Sequence, residues 1–430
     1  VSTTTSDVYD EYHALLARQD AMRLRRQLFA PAGAVRTADS GRAFYRTDDQ
    51  ETINRHLALV TPFSDLITHL YQAMFEQHPY LRGLFPDSMD FQQAHLERAL
   101  WYLIEHLDRP EEVADFCARL GRDHRKLGVR PVHFEVFESA LVAALRRSAG
   151  EHWVEELEQA WVRMVRFAVT SMVDGAREAL AEPAYWTATV TGHRVCGPGV
   201  AVLRVRTAEP FPYRAGQYTR IESPLLPHTW RPYSVACAPR TDGELEFHIR
   251  RTGPGGVSDA LVAHTRVGDL LRLGPAQGSM TLDDGLTRDV LIVAAETGWA
   301  TAKALLDELA MRRPCGRSAY LFLGARTPDD LYDTTALAEL ETRHPWLRVI
   351  PVLGEAGSMA DTVARHGDWS EHVAYVSGPP AMVAATVRRL MAVGLPADRI
   401  HHDPADGTSA SGRCDADRSP RANSLSGSPW

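Results

Sequence analysis

The sequence predicts a multidomain protein: an all-α domain, then an antiparallel β-barrel, then an α/β domain with a parallel sheet. Three observations carry this. A chain of 430 residues is too long for one hydrophobic core. Apolar positions recur with helical spacing as far as Glu182, and with period two from Pro183 onward. After Asp289, short apolar strands alternate with helices, the pattern of parallel strands joined by crossovers.

Residues 1–55 read as an N-terminal extension: a helix over 9–28, with Leu15, Leu16, Met22 and Leu28 on a broken stripe, then a linker of small and polar residues. Residues 56–182 are helical. Pro62 sits in a first turn, and Leu66, Leu70, Met74 and Phe75 follow at helical spacing. Further helices are expected over 92–106, 111–127, 133–148 and 155–182, punctuated by Pro79, Pro86, Pro110 and Pro131. Residues 183–286 alternate in strands over 187–191, 200–205, 218–221 and 245–249, split by Gly and Pro turns. Residues 287–403 form the α/β unit, with strands over 290–295, 319–323, 347–352 and 372–376 and helices over 300–312 and 380–394. Residues 404–430 turn to Gly, Ser, Asp, Arg and Pro and are expected to be a disordered tail.

A net charge of -8, from 47 basic and 55 acidic residues, argues against nucleic acid held by bulk charge. No apolar run is long enough for a membrane span. The five cysteines are scattered, without the spacing of a zinc knuckle or an iron–sulfur loop. A cytoplasmic location is expected, and any internal electron acceptor must be something other than such a cluster.

Two constellations carry chemistry. In Thr229-Trp230-Arg231-Pro232-Tyr233-Ser234, the Arg, Tyr and Ser are expected to share one side of a strand. There they offer a guanidinium for a pyrophosphate, a ring for a flavin face and a hydroxyl for its edge. The helical region holds the second. Leu84-Phe85-Pro86 closes a corner after Tyr71, Gln92 and Leu96 lie four apart on one helix face, and His124 ends a helix. One imidazole below an iron, polar groups above it and apolar walls make a haem pocket.

Tyr71-Gln-Ala-Met-Phe-Glu-Gln-His-Pro, Leu84-Phe85, Leu120-Gly-Arg-Asp-His124 and Gly128-Val-Arg-Pro131 resemble the globin domain of bacterial flavohaemoglobins. The Arg-x-Tyr-Ser stretch and the Ser377-Gly378-Pro379-Pro380 turn resemble the flavin and nicotinamide domains of the same family. The resemblance implies haem b, FAD and NAD(P)H as cofactors. It implies His124 as the iron ligand, Tyr71 and Gln92 as the distal pair, Leu96 as distal wall and Phe85 as the stacked ring, with His95 a rival for the distal polar position. It further implies Tyr233 on the flavin, Ser234 near its reactive nitrogen, Arg231 on the pyrophosphate and Tyr218 flanking the ring or the adenosine. Gly255, Gly256, Val257 and Ser258 are expected to offer backbone N–H groups to phosphate. Thr297, Gly298, Ser377, Gly378 and Pro379 are expected to hold the nicotinamide nucleotide.

The chain also departs from the family. Phe134 stands where a tyrosine, and Ala176 near where a glutamate, grips the proximal imidazole, which resembles the divergent actinobacterial branch. The imidazole is then expected to bond only a backbone carbonyl, for example that of Leu120. Ala295 and Glu296 replace two glycines, Thr301 a proline, and Ser377 a cysteine. Asp403 keeps a terminal acid, but no ring follows it. The expected function is electron flow from NAD(P)H through FAD to haem, with oxygen and nitric oxide as ligands and nitrate as product. The alternatives are a flavin dehydrogenase with another donor or acceptor, and a sensing globin with a degenerate reductase.

Overall fold

The computed structural model describes residues 48–129, 131–197, 199–312, 318–354 and 356–403. The helix expected over 9–28, the linker after it and the tail lie outside the described residues.

Helices α1 (Asp49–Arg55), α2 (Phe63–Gln77), α3 (Asp90–His106), α4 (Pro110–His124), α5 (Pro131–Ala149) and α6 (Glu155–Glu178) pack around one apolar core. Helix α1 lies in the stretch expected to be an extension. Yet Ile53 is wholly buried in this core, and Arg163 Nε of α6 donates to Asp49 Oδ2 at 3.0 Å. Pro110 opens α4, where its missing N–H costs nothing, and Glu111 and Glu112 place negative charge at the positive end of the helix.

Helix α4 lies close against α6. A Cβ on Gly121 would lie 1.9 Å from Met172 O, and one on Gly175 would lie 2.2 Å from Ala118 O. The backbones therefore touch where each helix has no side chain. Gly121 is three residues before His124, so this contact fixes the depth at which the imidazole sits.

Strands β1 (Trp186–Gly197), β2 (Val200–Thr207), β3 (Tyr218–Glu222), β4 (Trp230–Ser234), β5 (Glu244–Arg250) and β6 (Leu270–Leu273) form an antiparallel sheet in the order β4-β3-β6-β1-β2-β5. An isolated bridge between Val235 and Phe247 joins its two ends into a barrel. Inward Val190, Leu203, Ile221, Phe247 and Leu271 fill it.

The third unit alternates β7 (Asp289–Ala295), α7 (Trp299–Met311), β8 (Ala319–Ala325), α8 (Thr334–Arg343), β9 (Leu347–Leu353), α9 (Ala356–His366), β10 (His372–Ser377), α10 (Pro380–Ala392) and β11 (Ile400–His401). All strand pairs are parallel, in the order β11-β10-β7-β8-β9. One apolar cluster covers each face. The chain reverses direction across the sheet between β7 and β10, and open α/β sheets bind ligands at the strand ends of such a switch point.

Gly121→Ala tests the helix crossing. Forcing a methyl into this contact is expected to lower stability by about 2 kcal/mol or more, read as a fall in the urea midpoint, whereas an unchanged midpoint contradicts the close approach.

Candidate functional site

His124 is half-buried at the end of α4, with Nδ1 2.7 Å from Leu120 O. A carbonyl only accepts, so Nδ1 carries the proton and Nε2 keeps its lone pair for a metal. Burial holds the imidazole pKa below its usual value and so favours the neutral ligand form. Phe134 packs on the helical core. On α6, Asp174 pairs with Arg177 at 3.2 Å on the exposed side, and Glu178 is exposed. The contact between His124 and the Leu120 carbonyl is the one that the sequence led us to expect.

Three rings, Tyr71 and Phe75 of α2 and Phe85 after it, pack against one another. Tyr71 stacks on Phe75 at 5.9 Å and meets Phe85 edge-on at 5.6 Å, and Phe75 meets Phe85 at 5.4 Å. Burial pushes the Tyr71 hydroxyl well above its usual pKa, so it remains a hydrogen-bond donor. Gln92 lies in the first turn of α3, with Oε1 buried and without a hydrogen-bond partner. Leu96 packs against the core one turn later. His95 is engaged elsewhere: its ring lies 3.8 Å from that of Phe91 at a 34° tilt, and Nδ1 lies 3.0 Å from both Phe91 O and Arg98 Nη2. Burial, then Arg98, push its pKa down to about 4. An orphaned amide oxygen, a buried hydroxyl and an imidazole with one nitrogen tied fit a haem. Among the described residues no group of three or more His, Cys, Asp or Glu could hold a metal ion.

The residue before His124 joins this domain to the barrel. Asp123 contacts both Lys126 and Arg220, and Gln277 Nε2 donates to Asp123 Oδ1 at 2.9 Å. Burial raises the Asp123 pKa, but Lys126 and Arg220 together hold it below the carboxylate range. Burial pushes the Lys126 ammonium down to about 8 despite Asp123, and its Nζ lies 5.3 Å from the Trp230 ring. Sequence reasoning missed this group, because Asp123 and Arg220 are 97 residues apart and no periodicity links them.

The flavin motif lies on β4, where Ser234 pairs with Tyr218 and Tyr233 with Thr219 of β3. The expectation that Arg231, Tyr233 and Ser234 share one side needs correction: adjacent strand residues point to opposite faces, so Ser234 leaves the other two. Arg231 packs 4.1 Å over Phe91 of the helical domain. Tyr218 is buried, exchanging backbone bonds with Gln277 at 2.9 and 2.8 Å. A Cβ on Gly278 would lie 3.1 Å from both the Tyr218 ring and Asp403 Oδ1, so the carboxylate and the ring flank one small space. Asp403 Oδ1 is buried without a hydrogen bond, and burial raises its carboxyl pKa to about 6. In the Gly255–Ser258 turn, Gly255 N–H already donates to Asp259 Oδ2 at 2.7 Å, and Ser258 Oγ accepts from Thr252 N–H at 3.1 Å. Gly256 and Val257 head the short helix.

The nicotinamide loops meet at the C-terminal edge of the parallel sheet. Glu296–Gly298 form a single turn after β7 that contains the half-buried Thr297. A Cβ on Gly298 would lie 2.3 Å from Ser377 O, so this loop rests on the backbone of Ser377-Gly378, and Pro379 caps α10. Glu296 sits at φ 53, in the left-handed region that costs a side chain roughly 1–2 kcal/mol. The replaced proline and cysteine here are hydroxyls that connect: Ser377 Oγ donates to Thr301 Oγ1 at 3.2 Å, and Thr301 Oγ1 to Ser234 Oγ at 3.0 Å. That chain brings the nicotinamide loop and the flavin motif together.

Models of three families match in order: Globin over residues 68–172, Oxidoreductase FAD-binding domain over 187–281 and Oxidoreductase NAD-binding domain over 292–388. The chain belongs to the flavohaemoglobin family. As in other flavohaemoglobins, its cofactors are haem, FAD and a nicotinamide dinucleotide. It is 22% identical over 367 residues to a flavohemoprotein of Xylella fastidiosa, covering 79% of this chain and 91% of that one. The crystal structure of a flavohemoglobin from Malassezia yamatoensis with bound FAD and heme shares the fold, with TM-score 0.69 and 17% identity over 84% of this chain and 99% of that one. The reductase component of a Pseudomonas phenol 2-monooxygenase is 29% identical over 206 residues, 45% of this chain. The chain spans 58% of the length of that relative. Among the described residues, no helix is long and apolar enough to cross a membrane.

The Asp403 carboxyl gives a pH test of the flavin pocket. It is expected to ionise at about pH 6, so the visible absorption of bound flavin should shift between pH 5 and 7 in the wild type (roughly one unit either side). Asp403→Asn should remove that transition, and a transition that persists in the variant contradicts this placement.

Proposed function

We propose that this flavohaemoglobin passes electrons from NADH or NADPH through FAD to haem b and uses them with oxygen to oxidise nitric oxide to nitrate. The observation that carries the reading is the continuity of the seams. Ser377, Thr301 and Ser234 link the nucleotide loop to the flavin motif, and Asp123, beside His124, links the barrel to the helical domain. When bound, the dinucleotide supplies a hydride, the flavin divides it into single electrons, and the haem supplies the oxygen chemistry.

The roles of the chain's own residues follow from their surroundings. Leu120 O fixes the His124 ring and leaves Nε2 for iron. Tyr71 keeps its proton and donates a hydrogen bond to a bound diatomic ligand, with Gln92 as the second polar group. Phe85 and Leu96 exclude water. Thr301 holds the hydroxyls of Ser234 and Ser377 in register, where they would line the contact between a bound nicotinamide and flavin.

Anaerobic mixing with NADH or NADPH should bleach the flavin and then produce the ferrous haem band. Bleaching by a small organic acid, and by neither nicotinamide, contradicts this reading and supports the alternative donor. With oxygen present, nitric oxide should be converted to nitrate. Tyr71→Phe should slow that conversion roughly tenfold, the worth of one hydrogen bond to a charged group, while His124→Ala should abolish the haem spectrum. Equal nitrate rates in wild type and Tyr71→Phe contradict the role of the hydroxyl.

A further inference from the structure

The loop after β7 carries a carboxylate that a diphosphate site has no use for. Glu296 takes the left-handed backbone conformation that suits glycine. Its Oε2 lies 3.2 Å from Nε of Arg250, the last residue of β5, so the pair crosses from the barrel to the nucleotide domain. The approach is an ion pair without hydrogen-bond alignment: Arg250 Nε is buried and has no hydrogen-bond partner. The two side chains are 22% and 30% exposed, open enough for an anion to reach. A guanidinium with a buried, unbonded N–H beside a phosphate-facing loop is a ligand for a phosphate oxygen.

We infer that Glu296 is a built-in competitor for Arg250. Its carboxylate holds the guanidinium that the dinucleotide diphosphate takes over, so binding breaks the pair and the chain holds NAD(P) more weakly than glycine at 296 would allow. The inference rests on the nicotinamide reading of this loop. Two effects oppose the ligand together. The ion pair must open, and the freed carboxylate is left beside a diphosphate of the same sign. Glu296→Gly removes both and relieves the backbone. Glu296→Gln removes the charge and keeps the size, so it isolates the electrostatic part.

The test is calorimetric titration of the FAD- and haem-loaded protein with NAD+ and with NADP+, which reads binding without turnover. Bound-flavin absorbance reports that each variant is folded. Glu296→Gly and Glu296→Gln are expected to lower Kd about tenfold or more, and Arg250→Ala to raise it by a similar factor. In the Arg250→Ala background, Glu296→Gln should gain less than it does alone, because part of its benefit is the freed guanidinium. A wild type that binds, with neither Glu296 variant binding tighter, overturns the inference alone. No binding by any variant overturns it together with the nicotinamide reading.

Discussion

Asp123 accepts from groups of two domains, and the relative placement of haem pocket and flavin barrel depends on it. Lys126 comes from its own helix end, and Arg220 and Gln277 come from the barrel. Taking three charges out of water is costly, and only mutual pairing with an added amide donor offsets it. A lone buried charge in this seam would be strongly destabilising, so the group forms as a whole or the domains part. Because His124 follows Asp123 in the chain, the same contact that docks the barrel also sets the candidate iron ligand. Behind it, the Gly121–Met172 and Gly175–Ala118 contacts prevent α4 from retreating.

The second seam is built differently. Between barrel and nucleotide domain the centre is a chain of three neutral hydroxyls, and ion pairs stand around it. Glu246 accepts from Arg204 and Lys303, and Arg194 reaches Asp333 at 3.0 Å. The three hydroxyls place no fixed charge at the centre of this contact. The ordinary family carries a proline and a cysteine at two of these positions, and this chain replaces both with donors that find each other.

The domain plan was legible because it rests on period: helical spacing, then alternation, then apolar strands between helices. Helices α8 and α9 were not read because residues 334–343 and 356–366 carry few large apolar residues, although Met359 and Val363 of α9 are buried. Tyr71, Phe85, Gln92, Leu96 and His124 could be named because their order and spacing matched a known pattern. The Leu120 carbonyl partner followed from Phe134 and Ala176, which stand where the family carries a tyrosine and a glutamate. Asp123, Arg220, Arg250 and Gln277 were not readable, since each acts across a domain seam from a partner distant in sequence. The Ser234 error came from treating adjacent strand residues as if they alternated. Its correction moved that hydroxyl from beside Tyr233 to Thr301.

The central claim is that the Asp123 seam couples flavin to haem. The direct measurement is flash reduction of the bound flavin under anaerobic conditions, followed by the rise of the ferrous haem band, in wild type and Asp123→Asn. Flavin reduction should be unchanged in the variant, while flavin-to-haem transfer slows at least about tenfold, or roughly 1.4 kcal/mol of barrier. Transfer at the wild-type rate in Asp123→Asn would contradict the account.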